Sequence, residues 1–163
     1  MSKRVFLSAC LATGLALLGA CASAPPAPVS VAETAARTPE LSTLSGLMQQ
    51  SGLAEQLRGA GPYTVFAPSN EAFKAVPAAT MAQLAADKDL LRSVLTFHVL
   101  PTRLTSAEVT NSNAKSVQGA NLALSKAGSF VTVEDAVVQS ADVPASNGVV
   151  HIIDRVLMPP VKK

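Results

Sequence analysis

The chain is poor in cysteine. Its two, Cys10 and Cys21, both fall within the first 21 residues. Nothing beyond Cys21 can therefore form a disulfide, a thiolate nucleophile or a cysteine-metal site, and whatever folds after it must be held by its core alone. Tryptophan is absent and aromatics are only 4% of the 163 residues. The core must be built from Leu, Val, Ile and Ala, and there is little ring surface for stacking sugars. Charge is sparse, at 15%, and close to balance, with 13 basic residues against 11 acidic. Lys3 and Arg4 account for the whole excess, so the rest of the chain is neutral and does not look like a nucleic-acid binder. There are two histidines, His98 and His151. A metal centre would need both to converge with carboxylates. Gly-x-Ser-x-Gly elbows, P-loops, dinucleotide fingerprints and paired-cysteine motifs are all missing. Each histidine sits in an apolar stretch, which favours a hydrogen-bonded core role over catalysis or metal binding. The sequence calls for no cofactor, no metal and no enzyme activity.

What is present begins with an address. Lys3 and Arg4 precede a charge-free apolar or small run from Val5 to Ala20, the pattern of an export signal. It closes on Leu18-Gly19-Ala20-Cys21, which resembles the lipobox of bacterial lipoproteins. The thiol at +1 is the alkylated nucleophile, small residues at −1 and −2 fit the peptidase, and Leu18 fills an apolar pocket. The other reading is an ordinary signal cut after Ala22 or Ala24. Residues 1–20 are thus expected to be a lipoprotein signal, with Cys21 lipidated and holding the chain to a membrane. Ala22, where an Asp would mark inner-membrane retention, points to the outer membrane, facing either the periplasm or the exterior. Residues 21–36, rich in Ala and Pro, read as an extended tether.

Residues 37–160 read as one domain, followed by a short tail, 161–163. Thr38-Pro39-Glu40-Leu41 predicts a helix start, with Leu41, Leu44, Leu47 and Met48 on its apolar face and Ser51-Gly52 at its end. Leu53–Leu57 predicts a second short helix. Gly61-Pro62 is a turn, Tyr63–Phe66 a short strand, and Ser69 a cap for the helix that follows. Thr80-Met81-Ala82-Gln83 and Thr105-Ser106-Ala107-Glu108 both spell capping boxes. Asp87 is placed to cap a helix with Leu90, Leu91, Val94 and Leu95 at core spacing. After Ala114 the period falls to two, which predicts short strands over 115–118, 121–125, 129–133 and 136–139. Val149–Ile153 is apolar enough to be a central closing strand. Helices first and strands later give an α+β fold.

Three blocks carry a resemblance. Gly61-Pro62-Tyr63-Thr64-Val65-Phe66-Ala67-Pro68-Ser69-Asn70-Glu71-Ala72-Phe73 and Asn147-Gly148-Val149-Val150-His151-Ile152-Ile153-Asp154-Arg155-Val156-Leu157-Met158-Pro159 resemble the two signature blocks of the fasciclin domain family. Leu95-Thr96-Phe97-His98-Val99-Leu100-Pro101 resembles its central tyrosine-histidine segment, with Phe97 in place of the tyrosine. The resemblance covers Ala36–Pro160. It implies a β-sandwich or wedge with helices along one edge, and a non-enzymatic adhesion or interaction module meeting a protein or polysaccharide partner at the cell surface or in the extracellular matrix. The alternative is a periplasmic domain that binds a small apolar or carbohydrate ligand. The family's two proposed contact regions fall here on Phe97 and His98, and on Asp142 and Val143. The apolar flanks of Phe97 and His98 favour a structural role for that pair. Asp142, near Pro144 and the Ser146-Asn147-Gly148 turn, is the better contact candidate.

Overall fold

The computed structural model describes residues 29–160. The signal-like segment 1–20, the lipidation candidate Cys21, the first part of the tether and the tail 161–163 lie outside the described residues.

The tether does not reach residue 36. Val31–Arg37 forms a helix, α1, opened by a capping box in which Ser30 Oγ accepts from the Glu33 N–H and the Glu33 carboxylate reaches back to Ser30 N–H. Val31, Ala32 and Ala35 are buried. Alanines that read as linker in composition are here the close-packing face of a helix, so the packed domain includes α1. A 3-10 turn, Pro39–Leu41, then leads into α2, Ser42–Gln50. Thr38 does not cap it; its hydroxyl donates to Thr34 O at 2.8 Å. The free N–H of Thr43 goes instead to Asn70 Oδ1 at 3.0 Å, a cap supplied from the first signature block. Gly52, at φ 74°, turns the chain into α3, Leu53–Arg58.

β1, Tyr63–Pro68, is followed by α4, Asn70–Lys74, capped as expected by Ser69 Oγ on Ala72 N–H. α5, Ala78–Ala86, starts at Pro77 without a side-chain cap, so Thr80 lies inside the helix and its box does not form. Asp87 does cap α6, Lys88–Phe97, accepting from Asp89 and Leu90 N–H. Leu91, Val94 and Leu95 face the core while Leu90 remains 39% exposed.

The strands β2 (Val99–Leu100), β3 (Ser112–Lys115), β4 (Asn121–Ala127), β5 (Phe130–Val133), β6 (Ala136–Ala145) and β7 (Gly148–Ile153) join β1 in a seven-stranded sheet of order β2-β1-β7-β6-β5-β4-β3. The sheet curls back on itself: Val117 N–H donates to Val99 O at 2.8 Å, bringing the far end against β2. The pairing of β1 with β7 is parallel, from Tyr63 opposite Gly148 to Pro68 opposite Ile153. The two signature blocks of the sequence are therefore neighbours at the middle of the sheet. Both faces of this pair are covered. Val65, Ala67, Val150 and Ile152 pack into a cluster under the helices. Phe66 and Ile153 point the other way, into a second cluster with Phe97, Leu100, Leu124 and Val133. An α+β wedge with helices against one side of its sheet is the fold.

Two glycines and an asparagine weld the centre. A Cβ on Gly61 would sit 2.0 Å from Asn147 O, and one on Gly148 would sit 2.0 Å from Tyr63 O. These are backbone atoms that cannot step aside. Asn147 Oδ1 accepts from Val31 N–H at 2.9 Å, and its amide donates to Leu57 O at 2.8 Å and Gly59 O at 2.7 Å. One side chain ties α1, the end of α3 and the β6–β7 turn together.

Candidate functional site

Of the four contact candidates, the fold buries two. Phe97 is 2% and His98 1% exposed. Phe97 ends α6 inside the sheet-side cluster, and His98 donates from Nδ1 to Val94 O at 2.8 Å and accepts at Nε2 from Leu157 N–H at 2.9 Å. The apolar flanks on both sides drive this segment inward, so neither side chain offers a surface to a partner. Val143 is half-buried against the helix-side cluster. Asp142 is exposed, as expected, but it stands inside β6 rather than in a loop.

The strand reaches that position by breaking its ladder. Register shifts between Val138 and Ser140, and between Ser140 and Val143, leave Asp142 bulged out of pairing with β7. Its φ is 58°, in the left-handed region that Asp and Asn tolerate better than most side chains. The orphaned Asp142 N–H donates to His151 Nδ1 at 3.2 Å. The other ring nitrogen of His151 donates to Leu104 O at 2.8 Å, which fixes the neutral tautomer. Phe66 stacks on the ring, centroids 5.5 Å apart. Burial pushes the His151 imidazole below its ordinary pKa, against the opposing pulls of the Leu104 carbonyl and the Asp142 charge. His151 is thus the hydrogen-bonded core histidine that its apolar strand predicted.

The Asp142 carboxylate pins a crossing segment. It accepts from Ser106 N–H at 2.7 Å and from the Ser106 hydroxyl. Partial burial would raise its pKa, but these two bonds, with His151 and Lys126 nearby, hold it below the usual carboxylate range. Lys126 Nζ donates to Ser106 O at 2.8 Å and Ala107 O at 3.2 Å. The segment is held from beneath as well. Buried Thr64 donates its hydroxyl to Thr102 O at 2.7 Å and accepts from Leu104 N–H at 2.8 Å. Glu108 closes the turn onto Thr105 N–H and Oγ1, and these bonds lower its pKa. The Thr105–Glu108 box therefore forms as a side-chain-locked turn and not as a helix.

The result is a rigid, exposed, ionised carboxylate between Lys126 and the Thr105–Glu108 turn. Sequence reasoning missed Ser106 and Lys126, whose roles depend on long-range contacts; the turn spelling at Thr105 was the one local signal. Among the described residues no group of three His, Cys, Asp or Glu side chains is arranged to hold a metal ion.

Comparison with known proteins gives consistent matches. The model of the Fasciclin domain matches residues 39–159. Protein sll1483 of Synechocystis sp. is 42% identical over 135 residues, covering 82% of this chain and 75% of that protein. The cell surface glycolipoprotein MPB83 of Mycobacterium bovis is 38% identical over 137 residues, covering 81% of this chain and 61% of that protein. Among solved structures, a FAS1 domain pair from the insect cell adhesion molecule fasciclin I superposes with a TM-score of 0.61 at 27% identity, covering 76% of this chain and 46% of that one.

Proposed function

The chain belongs to the fasciclin domain family, and from that premise we propose that it is a lipid-anchored interaction module of the cell envelope. It acts by contact and not by catalysis. The observation that carries this reading is Asp142: an exposed, ionised carboxylate on a bulge of β6, held by Ser106 and His151. A preordered anionic group loses little entropy when a partner's cation or hydroxyl meets it. Anchoring is supported by the Leu18-Gly19-Ala20-Cys21 spelling and by the likeness to a relative named as a cell surface glycolipoprotein. Among the described residues no helix is long and apolar enough to cross a membrane. The partner is a protein or polysaccharide at the cell surface or in surrounding matrix, and the anchored domain resides at the outer membrane.

Two substitutions test the two halves of the proposal. Cys21→Ser should move the protein from the membrane fraction to the soluble fraction; unchanged retention would defeat the anchoring. Asp142→Gly removes the carboxylate while suiting the left-handed backbone. Attachment of cells bearing it to matrix-coated surfaces should fall about tenfold, the loss of roughly one charge-assisted contact. Equal attachment by the two proteins would remove Asp142 from the contact.

A further inference from the structure

His98 does something that a structural histidine need not do: among the described residues it is the one hydrogen-bonding hold on a surface segment. Past Asp154 the chain runs as an irregular strap, Arg155–Pro160, along the outside of the domain. Among the described residues, its one hydrogen bond is from Leu157 N–H to His98 Nε2, at 2.9 Å. The start of the strap is fixed firmly, since Asp154 N–H donates to Val137 O at 3.1 Å and Asp154 Oδ1 accepts from Val137 N–H at 2.7 Å. The strap therefore has a pinned end at Asp154 and a single catch at Leu157. It also forms the shared wall of two clefts. One, of about 350 Å³, lies between Val156 and Met158 on one side and Ala72, Val76 and Pro77 on the other. The second, of about 300 Å³, lies between the strap and Glu134–Ala136.

We propose that His98 is an acid-sensitive latch: protonation of its ring releases the strap, which swings about Asp154, uncovers the seat of Leu157 and joins the two clefts into one groove.

The geometry demands this coupling. Nδ1 already donates to Val94 O, so the Leu157 N–H needs the lone pair of Nε2. A second proton on Nε2 sets donor against donor in a dry site, with no acceptor in reach. Nor is there a carboxylate to host the cation. The charged residues on the elements around the ring and the strap, Lys88, Asp89 and Arg92 of α6, Glu134 and Asp135 before β6, and Arg155, are all exposed; Asp154 is half-buried with its carboxylate on Val137 N–H, and β1 and β2 carry no charge. Burial accordingly lowers the closed-state pKa from 6.5 to about 4, against a small upward pull from the Val94 bond. Once the strap lifts, water reaches the ring and the ordinary value returns. The latch is tightest above pH 6.5 and loosens as pH falls toward 4. Its open-to-closed ratio rises by at most about tenfold per unit and by about 80-fold over that window. Leu157, only 3% exposed in the closed form, is the apolar surface that opening yields.

Hydrogen exchange of the folded domain tests this. Corrected for intrinsic rate, protection of the Leu157 amide should fall about 40-fold between about pH 6.5 and pH 4.5, while Phe66 and Val150 in the central strands stay protected. His98→Gln supplies a carbonyl acceptor that does not titrate, and its Leu157 protection should be flat across the same range. A fall in all three amides together would mean acid unfolding of the whole domain and would overturn the latch. So would flat Leu157 protection in the native protein, or an unaltered fall in His98→Gln. Should that variant not fold, nitrogen NMR of the native ring decides. The midpoint of Nε2 protonation must coincide with the midpoint of the Leu157 amide shift, and separate midpoints would refute the coupling.

Discussion

The β1–β7 seam and the β6 bulge lie on the same strand pair system, yet they are joined by opposite means. Along the seam, backbone meets backbone in unbroken parallel register, and two glycines admit no side chain where the chains touch. At the bulge the ladder is interrupted, and side chains of Asp142, Ser106, His151 and Thr64 do the joining. The seam is buried except at Tyr63, which is half-buried, and the bulge is exposed. A strand fully paired on both sides has no polar group left to offer, whereas a strand that drops out of register frees an N–H and re-aims a carboxylate outward. The sequence blocks that identify the family are thus blocks of construction, and the Asp142 carboxylate is exposed where the construction lapses.

That contrast can be broken in order of expected effect. Gly148→Ala should be the most damaging, since its Cβ would meet Tyr63 O at 2.0 Å. A loss on the order of 4 kcal/mol, or no folded protein, is expected, read from the denaturant midpoint. Asn147→Ala removes three hydrogen bonds from one turn and strands Val31 N–H, Leu57 O and Gly59 O. It should cost about 3 kcal/mol with an unchanged denaturant slope. Asp142→Asn should be the mildest, within about 0.5 kcal/mol, because Asn tolerates the left-handed backbone and the site is exposed. A large loss from Asp142→Asn, or a small one from Gly148→Ala, would erase the distinction between seam and bulge.

What could be read from the sequence was what is decided locally. Ser69 and Asp87 cap the helices expected of them because a cap needs only the next three residues. The closing strand read as central because every residue from Val149 to Ile153 is apolar or, at His151, internally satisfied. The failures were decided at a distance. Thr38 has cap chemistry, but Asn70, far along the chain, already serves that helix end. α1 looked like tether because alanine is equally common in linkers and in tightly packed helices, and only contact with the core chooses between them. Phe97 and His98 were opened to contact by resemblance and closed to it by burial, as their own flanking residues had indicated. Asp142 was legible as exposed, while the Ser106 that orders it lies 36 positions away, and the turn spelling around Ser106 gives no sign of that pairing.

The parallel pairing of β1 with β7 also governs the order in which the molecule can form. They are the first and last strands of the sheet, so this pairing closes only by bringing together segments about 85 residues apart. Contacts of such long sequence separation pay their loop entropy before any burial rewards them, which places them late and makes them slow. Until residues 148–153 arrive, Val65, Phe66 and Ala67 have no neighbour on that side and the helix-side cluster lacks Val150 and Ile152. The chain therefore remains open and threadable until nearly all of it is made, the state in which a polypeptide must be kept if it is to pass through a membrane before it folds.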